Sequence, residues 1–418
     1  NPVVVVSSDN RIIGVETEGG LNSVFSGAAS GLIKLDRVTM TGATGAAVDL
    51  TVAPSEDLTL LVRGSTFEGA EGIRLGVQGA GDVNVDIQES SVNAGTGAGL
   101  ALKSLGVPVL GDVSFLLANT TVVSGGAGVD LNVEAQGRFA LSFSDGTFEA
   151  GGVNLVATGS GAEVEIRNTT FALGGEDFLA RIEGAGEASV GVETSEIAEA
   201  GDVTLAAISG EGDAAVSLRD VDITAGGLVT ISSQGAGDAS AAVNGDPVGE
   251  TIVGSEIEVS ASGTTAAVSI VNETLRATDG DLRLVAAAES GDAEVRVAGS
   301  DLEATGSLSI VTRAIEEDAT IAIRESLLEA EGDARLAAIG GEWATIDLVT
   351  PESADRAAQI RAGGDVSLKA RAEGAAAISL HADDAAGDAG VTEIQAGGDV
   401  LLKAAGETAG EIVVYGSN

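Results

Sequence analysis

Apolar and polar positions alternate along this chain in short runs, and the alternation restarts every twenty-some residues. Residues 201–226 read GDVTLAAISGEGDAAVSLRDVDITAG. Three runs alternate here, around Val203 to Leu205, Ala214 to Leu218 and Val221 to Ile223, and each is bounded by Gly or Asp turn chemistry. No stretch keeps apolar residues at helical spacing for the roughly 8 residues that a globular helix needs. The pattern therefore predicts three short strands per coil and no helix. Residues 280–306 and 307–332 repeat the same three runs.

The third run of each coil carries one large apolar residue followed by Ala, Gly or another small residue. In order these residues are Met40, Phe67, Val92, Val122, Phe148, Phe171, Ile197, Ile223, Ile252, Leu275, Leu302 and Leu328. Their spacing runs from 23 residues (Phe148 to Phe171) to 30 (Val92 to Val122). A period of this size marks units that cannot bury their apolar faces alone and must stack, which predicts a solenoid with these residues as one core column. The expected architecture is an all-β, single-domain parallel β-helix (β-solenoid) of about 15 coils of roughly 26 residues. At a strand spacing of ~4.8 Å this makes a rod roughly 70 Å long.

Three zones are expected: opening coils over 1–47, regular coils over 48–345, and less regular C-terminal coils with insertions over 346–418. The first strands of successive coils are placed at Val48, Ile73, Leu100, Val129, Val153, Phe178, Val203, Val229, Ile257, Leu282, Leu308, Ala334, Val366 and Val400. Insertions at 104–111, 243–250, 350–356 and 381–390 read as surface loops. Pro108, Pro247 and Pro351 fall in them, where no ladder hydrogen bond is needed.

Residues 3–20, VVVVSSDNRIIGVETEGG, resemble the opening coil of right-handed parallel β-helix proteins. The later GGDVxLxA phrases, Gly363 to Ala370 and Gly397 to Ala404, resemble filamentous-haemagglutinin-like exoproteins and autotransporter passengers. The resemblance covers nearly the whole chain and implies an exported bacterial surface protein. A right-handed coil follows from it and from the general preference of parallel crossovers.

Composition sharpens this picture. The chain carries 21 basic against 64 acidic residues, a net charge of −43, and its only lysines are Lys34, Lys103, Lys369 and Lys403. Such a field repels nucleic acid and anionic membrane, so no nucleic-acid partner and no direct membrane insertion are expected. Cysteine is absent, which removes disulfides and thiolate metal sites. The 60 glycines fall at repeating turn positions, so periodicity overrides a compositional reading of disorder. With no leader visible, the chain is expected to be a mature or excised segment of an extracellular protein.

Catalytic chemistry finds little to build on. His381 is the only histidine and sits in the phrase HADDAAGDAG, which reads as a solvated loop. Trp343 and Tyr415 are the only Trp and Tyr, and Trp343 reads as a packing residue. Carboxylates abound, but pairs such as Asp383-Asp384 lie at turns, where solvation explains them. No catalytic residue, no bound cofactor and no enzyme activity are expected. Gly-x-Gly-Asp turns ending at Asp82, Asp213 and Asp238 are similar to calcium-binding repeat turns but lack their tandem spacing, leaving Ca2+ on acidic turns as an unplaced candidate. Three glycosylation sequons start at Asn119, Asn168 and Asn272, each three residues before its column residue. An Asn that accepts left-handed backbone geometry in one shared turn explains all three without a glycan.

The functional expectation is a non-catalytic extracellular structural protein. It is a β-helical rod forming the subunit of a cell-surface fibre, or an adhesin stalk. The alternatives are an excised passenger segment of a large adhesin and a polysaccharide lyase or hydrolase on a β-helix scaffold. The ends supply the mechanism, because neither looks like a polar cap. Val3, Val4, Val5 and Val6 at one terminus and Ile412, Val413, Val414 and Tyr415 at the other are strand-like and apolar. Head-to-tail contact between them is heterologous and non-closing, which gives filaments. The expected partners are further copies of the chain or a host or neighbouring cell surface.

Overall fold

Each strand hydrogen-bonds to its counterpart one coil later. Leu282–Ala288 pairs with Leu308–Ala314, Ala293–Ala298 with Ala319–Arg324, and Asp301–Ala304 with Leu327–Ala330, all parallel. Residues 129–172 repeat this arrangement. There Val129–Glu134, Phe139–Ser144 and Thr147–Ala150 pair with Val153–Gly159, Ala162–Arg167 and Thr170–Ala172. The structure is a computed structural model that describes all residues except 1–3, 6–8, 21–24, 53, 246–250, 351–356, 383–391 and 416–418.

The chain divides into two compact units, Asn1–Gly210 and Glu211–Asn418. Each is a parallel β-solenoid with three strands per coil and no helix among the described residues. Turns of ~26 residues number about 13, slightly fewer than the expected 15. The expected number joined the fourteen first-strand residues from Val48 to Val400 with a further coil placed before Val48. Strand boundaries also differ: in Ala188–Ala200 and Ala214–Ala225 the second and third strands run together, because a single left-handed residue, Thr194 or Asp220, turns the corner without breaking the pairing.

Inward positions alternate with outward ones along most strands, and the interior is mainly Val, Ala, Leu, Ile and Phe. The column residues are buried and stand on one another in register. In the first unit the pairs are Met40 with Phe67, Phe67 with Val92, Val92 with Val122, Val122 with Phe148, Phe148 with Phe171, and Phe171 with Ile197. In the second, Ile223, Ile252, Leu275, Leu302 and Leu328 follow in the same way, and the column extends to Ile360 and Ile394. Phe148 and Phe171 stack with ring centroids 4.8 Å apart and planes 17° from parallel, close to the coil spacing itself.

The corner before each third strand has a fixed chemistry. One residue per coil takes the left-handed conformation there, including Arg37, Glu89, Asn119 (φ 49°), Asp145, Asn168 (φ 46°), Asn272 (φ 53°) and Glu325. The three sequon asparagines are thus members of a turn series. In most coils the next residue is a buried Ser or Thr. The Ser300 N–H donates to Ser326 Oγ at 3.2 Å, and Ser326 Oγ donates to the Arg324 carbonyl at 2.6 Å. Ser65 and Ser90 form the same ladder in the first unit. Each hydroxyl satisfies one buried backbone group above it and one beside it.

Two local expectations are corrected. His381 is half-buried and lies in the strand Ala375–Ala382, opposite Val349, because pairing with Trp343–Thr350 carries the strand past the point where the loop was expected to start. Trp343 is 55% exposed at the start of its strand, since that position belongs to the turn series and not to the core. The insertion residues 246–250, 351–356 and 383–390 lie outside the described residues. Of 104–111, Val109 is buried and bridges Ala135, while Leu105, Val107 and Leu110 are exposed.

Replacing Leu302 with Asp should destabilise the second unit by several kcal/mol, because a carboxylate would enter a column with no partner. Chemical denaturation followed by circular dichroism measures this. Ser326→Ala leaves the Ser300 N–H without its acceptor and should cost about 1–3 kcal/mol in the same experiment.

Candidate functional site

With the interior packed, chemistry must sit on the outward rows. In the second unit one sheet face departs from the acidic character of the chain. The first strands Leu282–Ala288, Leu308–Ala314, Ala334–Gly340, Val366–Ala372 and Val400–Gly406 place Arg283, Arg313, Arg335, Lys369, Arg371 and Lys403 at alternate positions and carry no Asp or Glu. Register sorts these cations into rows. Arg283 and Arg335 share one row with Ser309, Ser367 and Leu401. Lys369 and Lys403 share the next with Val285, Val311 and Ala337, and Arg313 and Arg371 share the third with Ile339.

Two concavities open on this face. One, of about 910 Å³, is lined by the first row, by Lys369, and by Asp281, Asp333, Asp365 and Asp399 from the turn before the strands. The other, of about 440 Å³, is lined by Arg313, Ile315, Ile339, Arg371, Glu373 and Glu407 from the third row and the turn beyond. Arg283 pairs with Asp281 at 3.0 Å. Among the described residues no ion pair forms to Arg313, Arg335, Lys369, Arg371 or Lys403.

The aspartates at the rim have a structural task. Asp333 Oδ1 accepts the N–H of Asp365 at 2.8 Å, and Asp365 Oδ1 accepts that of Asp399 at 2.8 Å. Asp281 Oδ1 accepts the Ser307 N–H, and this bond, followed by the Arg283 guanidinium, holds its carboxyl below the usual range. The turn before the second strands repeats the device: Asp82 joins Asp57 to Asp112, Asp213 accepts from Asp238, and Asp292 accepts from Asp318. The Gly-x-Gly-Asp turns are therefore rungs of aspartate ladders. Among the described residues no group of three or more His, Asp or Glu side chains is placed to hold a metal ion.

The other residues singled out in the sequence do not gather at this face. Asn119 and Asn168 are exposed at their turns, with Asn168 Nδ2 donating to Asp145 at 2.6 Å, and Asn272 is half-buried. His381 lies near Asp347, whose carboxyl is pushed up by burial against the opposing pull of Arg324 and His381.

At the C-terminal coil, inward side chains lose their cover. Val400 is 50% and Ile412 44% exposed, whereas their register partners Val366 and Ile378 are fully buried. Val414 is exposed, Val413 half-buried, and the side chain of Tyr415 lies outside what is described. At the other terminus Val4 and Val5 pair with Phe25 and Ser26, while Val3 and Val6 lie outside the described residues.

Sequence reading passed over the cation rows. Their signal is a basic residue at the second, fourth or sixth position of the first strand, which emerges only when coils are aligned. No family model, curated protein or solved structure matches the chain.

Opposite pH dependences should separate two aspartates. The lowered carboxyl of Asp281 contributes stability that is present above the ordinary Asp range and lost as pH falls through its depressed value. Asp281→Asn should therefore melt lower than the parent at pH 7, with the gap closing in acid. Asp347 is raised, so its charged form costs stability once pH rises through that value. Asp347→Asn should melt higher at pH 7, again converging below the ordinary Asp range. Melting curves across pH read both signs.

Proposed function

We propose that the chain is a non-catalytic extracellular structural protein, a β-helical subunit that assembles end to end into a cell-surface fibre or serves as an adhesin stalk. The observation that carries this reading is the uncovered inner face of the C-terminal coil. Val400 and Ile412 occupy positions that are core one coil earlier, and the strands bearing them offer parallel-pairing edges. A further coil laid on this face buries those side chains and continues every ladder. When the coil comes from another copy, the contact is heterologous and propagates as a filament. The net charge of −43 opposes such contacts, so salt and divalent cations favour them. An extracellular setting and an affinity for cell surfaces rest on the resemblance to haemagglutinin-like exoproteins and autotransporter passengers.

The same uncovered face supports a second reading, a passenger segment of a larger adhesin whose own next coil lies there. A polysaccharide lyase or hydrolase would place its chemistry in the Asp- and Arg-lined groove. Against that, Asp281, Asp333 and Asp365 are engaged with backbone N–H groups, and the low pKa of Asp281 suits a permanent acceptor better than a general acid.

Ile412→Asp tests the assembly directly. The side chain is exposed in the single chain, so folding and melting temperature should hold, while end-to-end growth at high protein, salt and calcium should stop. Val413→Pro and Val4→Lys should act similarly by blocking strand addition. Small-angle scattering that finds only single chains of the parent under those conditions overturns the fibre and leaves the passenger segment.

A further inference from the structure

We infer that the outer face of the first-strand sheet over residues 282–406 is a binding groove for a linear acidic polysaccharide. The inference goes beyond end-to-end assembly and rests on the outward cation rows of the sheet, which reach the uncovered coil at Val400.

Cations are scarce in this chain, 21 against 64 acidic residues, and elsewhere many of them are paired: Arg74 with Asp49 and Glu71, Lys103 with Asp130, Arg138 with Glu163, Arg276 with Glu303. On this face five of six have no ion pair among the described residues, although carboxylates stand in the turns on both sides. Side chains left in this state offer their charge to an outside anion, with little internal pairing to give up.

Their spacing selects a polymer. Each of five successive coils contributes at least one of Arg283, Arg313, Arg335, Lys369, Arg371 and Lys403, and parallel strands lie ~4.8 Å apart. Along the stacking direction the positive charges advance by one strand spacing per coil while spreading over three rows, so they form an extended basic strip about five strands long, which suits a linear polyanion better than a single anionic group.

The rims select the chemistry. Asp333, Asp365, Asp399, Glu373 and Glu407 line the two concavities beside the cations. A ligand made only of anionic groups gains nothing from these carboxylates, and a broad acidic protein surface would press its own carboxylates against them. A polyuronate carries carboxylates for the basic rows and hydroxyl donors for the rims. Val285 and Val311, in the row of Lys369 and Lys403, and Ile339, between Arg313 and Arg371 in the third row, provide apolar surface for the carbon faces of sugar rings.

Calorimetric titration of the full chain with polymannuronate oligomers of graded length, at low salt and without calcium, tests the assignment. Affinity should rise with length until the oligomer spans the five coils, about 20 Å at ~4.8 Å per step, and then level off. It should weaken as salt is added. The double replacement Lys369→Gln with Arg371→Gln should lower affinity at least tenfold with an unchanged melting temperature, since both side chains are outward. Arg74→Gln, in the other unit and already paired, should bind as the parent does. Absence of binding by the parent, or equal binding by the double variant, overturns the inference. Equally tight binding of inorganic polyphosphate overturns the polysaccharide class in favour of any polyanion. Loss of self-association in the double variant, with oligomer binding intact, makes a second copy of the chain the occupant instead.

Discussion

Parallel, in-register hydrogen bonding between successive coils is the constraint on which everything else in this structure depends. Each backbone N–H and C=O in a strand is satisfied one coil away, so a residue stands on its counterpart and nearly every contact is between like positions. This explains the tolerance for small residues. A coil is thin, and a Val or Ala that touches the Val or Ala above and below it is closely packed without bulk. It also explains the aromatic cluster. Phe148 and Phe171 meet face to face because their strands are paired, and Phe143 and Phe178 close around them.

Stacking like on like is hazardous for polar groups, and the chain answers with ladders. At the corner before the third strand the backbone turns through one left-handed residue, and in most coils a hydroxyl follows, as at Ser90, Ser300 and Ser326, which accept the N–H of their counterparts in the neighbouring coil. Where two turns place aspartates above one another, the carboxylate takes the backbone N–H of the next coil as its partner. Part of the large acidic excess thus becomes structural, with each rung repeated at the coil spacing. The cation rows obey the same geometry, and a regular set of positive charges on one sheet is its product.

Each coil is covered by the next, up to the last described coil. Its inward Val400 and Ile412 stand in water at positions that are fully buried one coil before. The uncovered positions of the last described coil and the cation rows, of which only Arg283 is ion-paired among the described residues, adjoin at Val400.

Much of the fold was legible in sequence because it is local information repeated. Period-two alternation marks strands, and Gly and Asp mark corners. One large apolar residue per coil marks a column wherever it recurs at the coil period, as from Met40 to Leu328. Contacts across coils were not legible in this way. Lys369 and Lys403 were visible as parts of a phrase, but their place beside Arg335 and Arg371 depends on register across insertions of unequal length. His381 sits in a strand and not a loop because its neighbour, Trp343–Thr350, pairs that far along. Trp343 is exposed because it falls in the turn before the second strand, at the position that Asp292 and Asp318 hold in the preceding coils. The chain by itself determined the all-β class, the three-strand coil and the core column, since these follow from the alternation of neighbouring side chains. Only the tertiary structure decided which charges share a face, which carboxylates are consumed by backbone, and which core positions are left uncovered, because those depend on what lies one coil away.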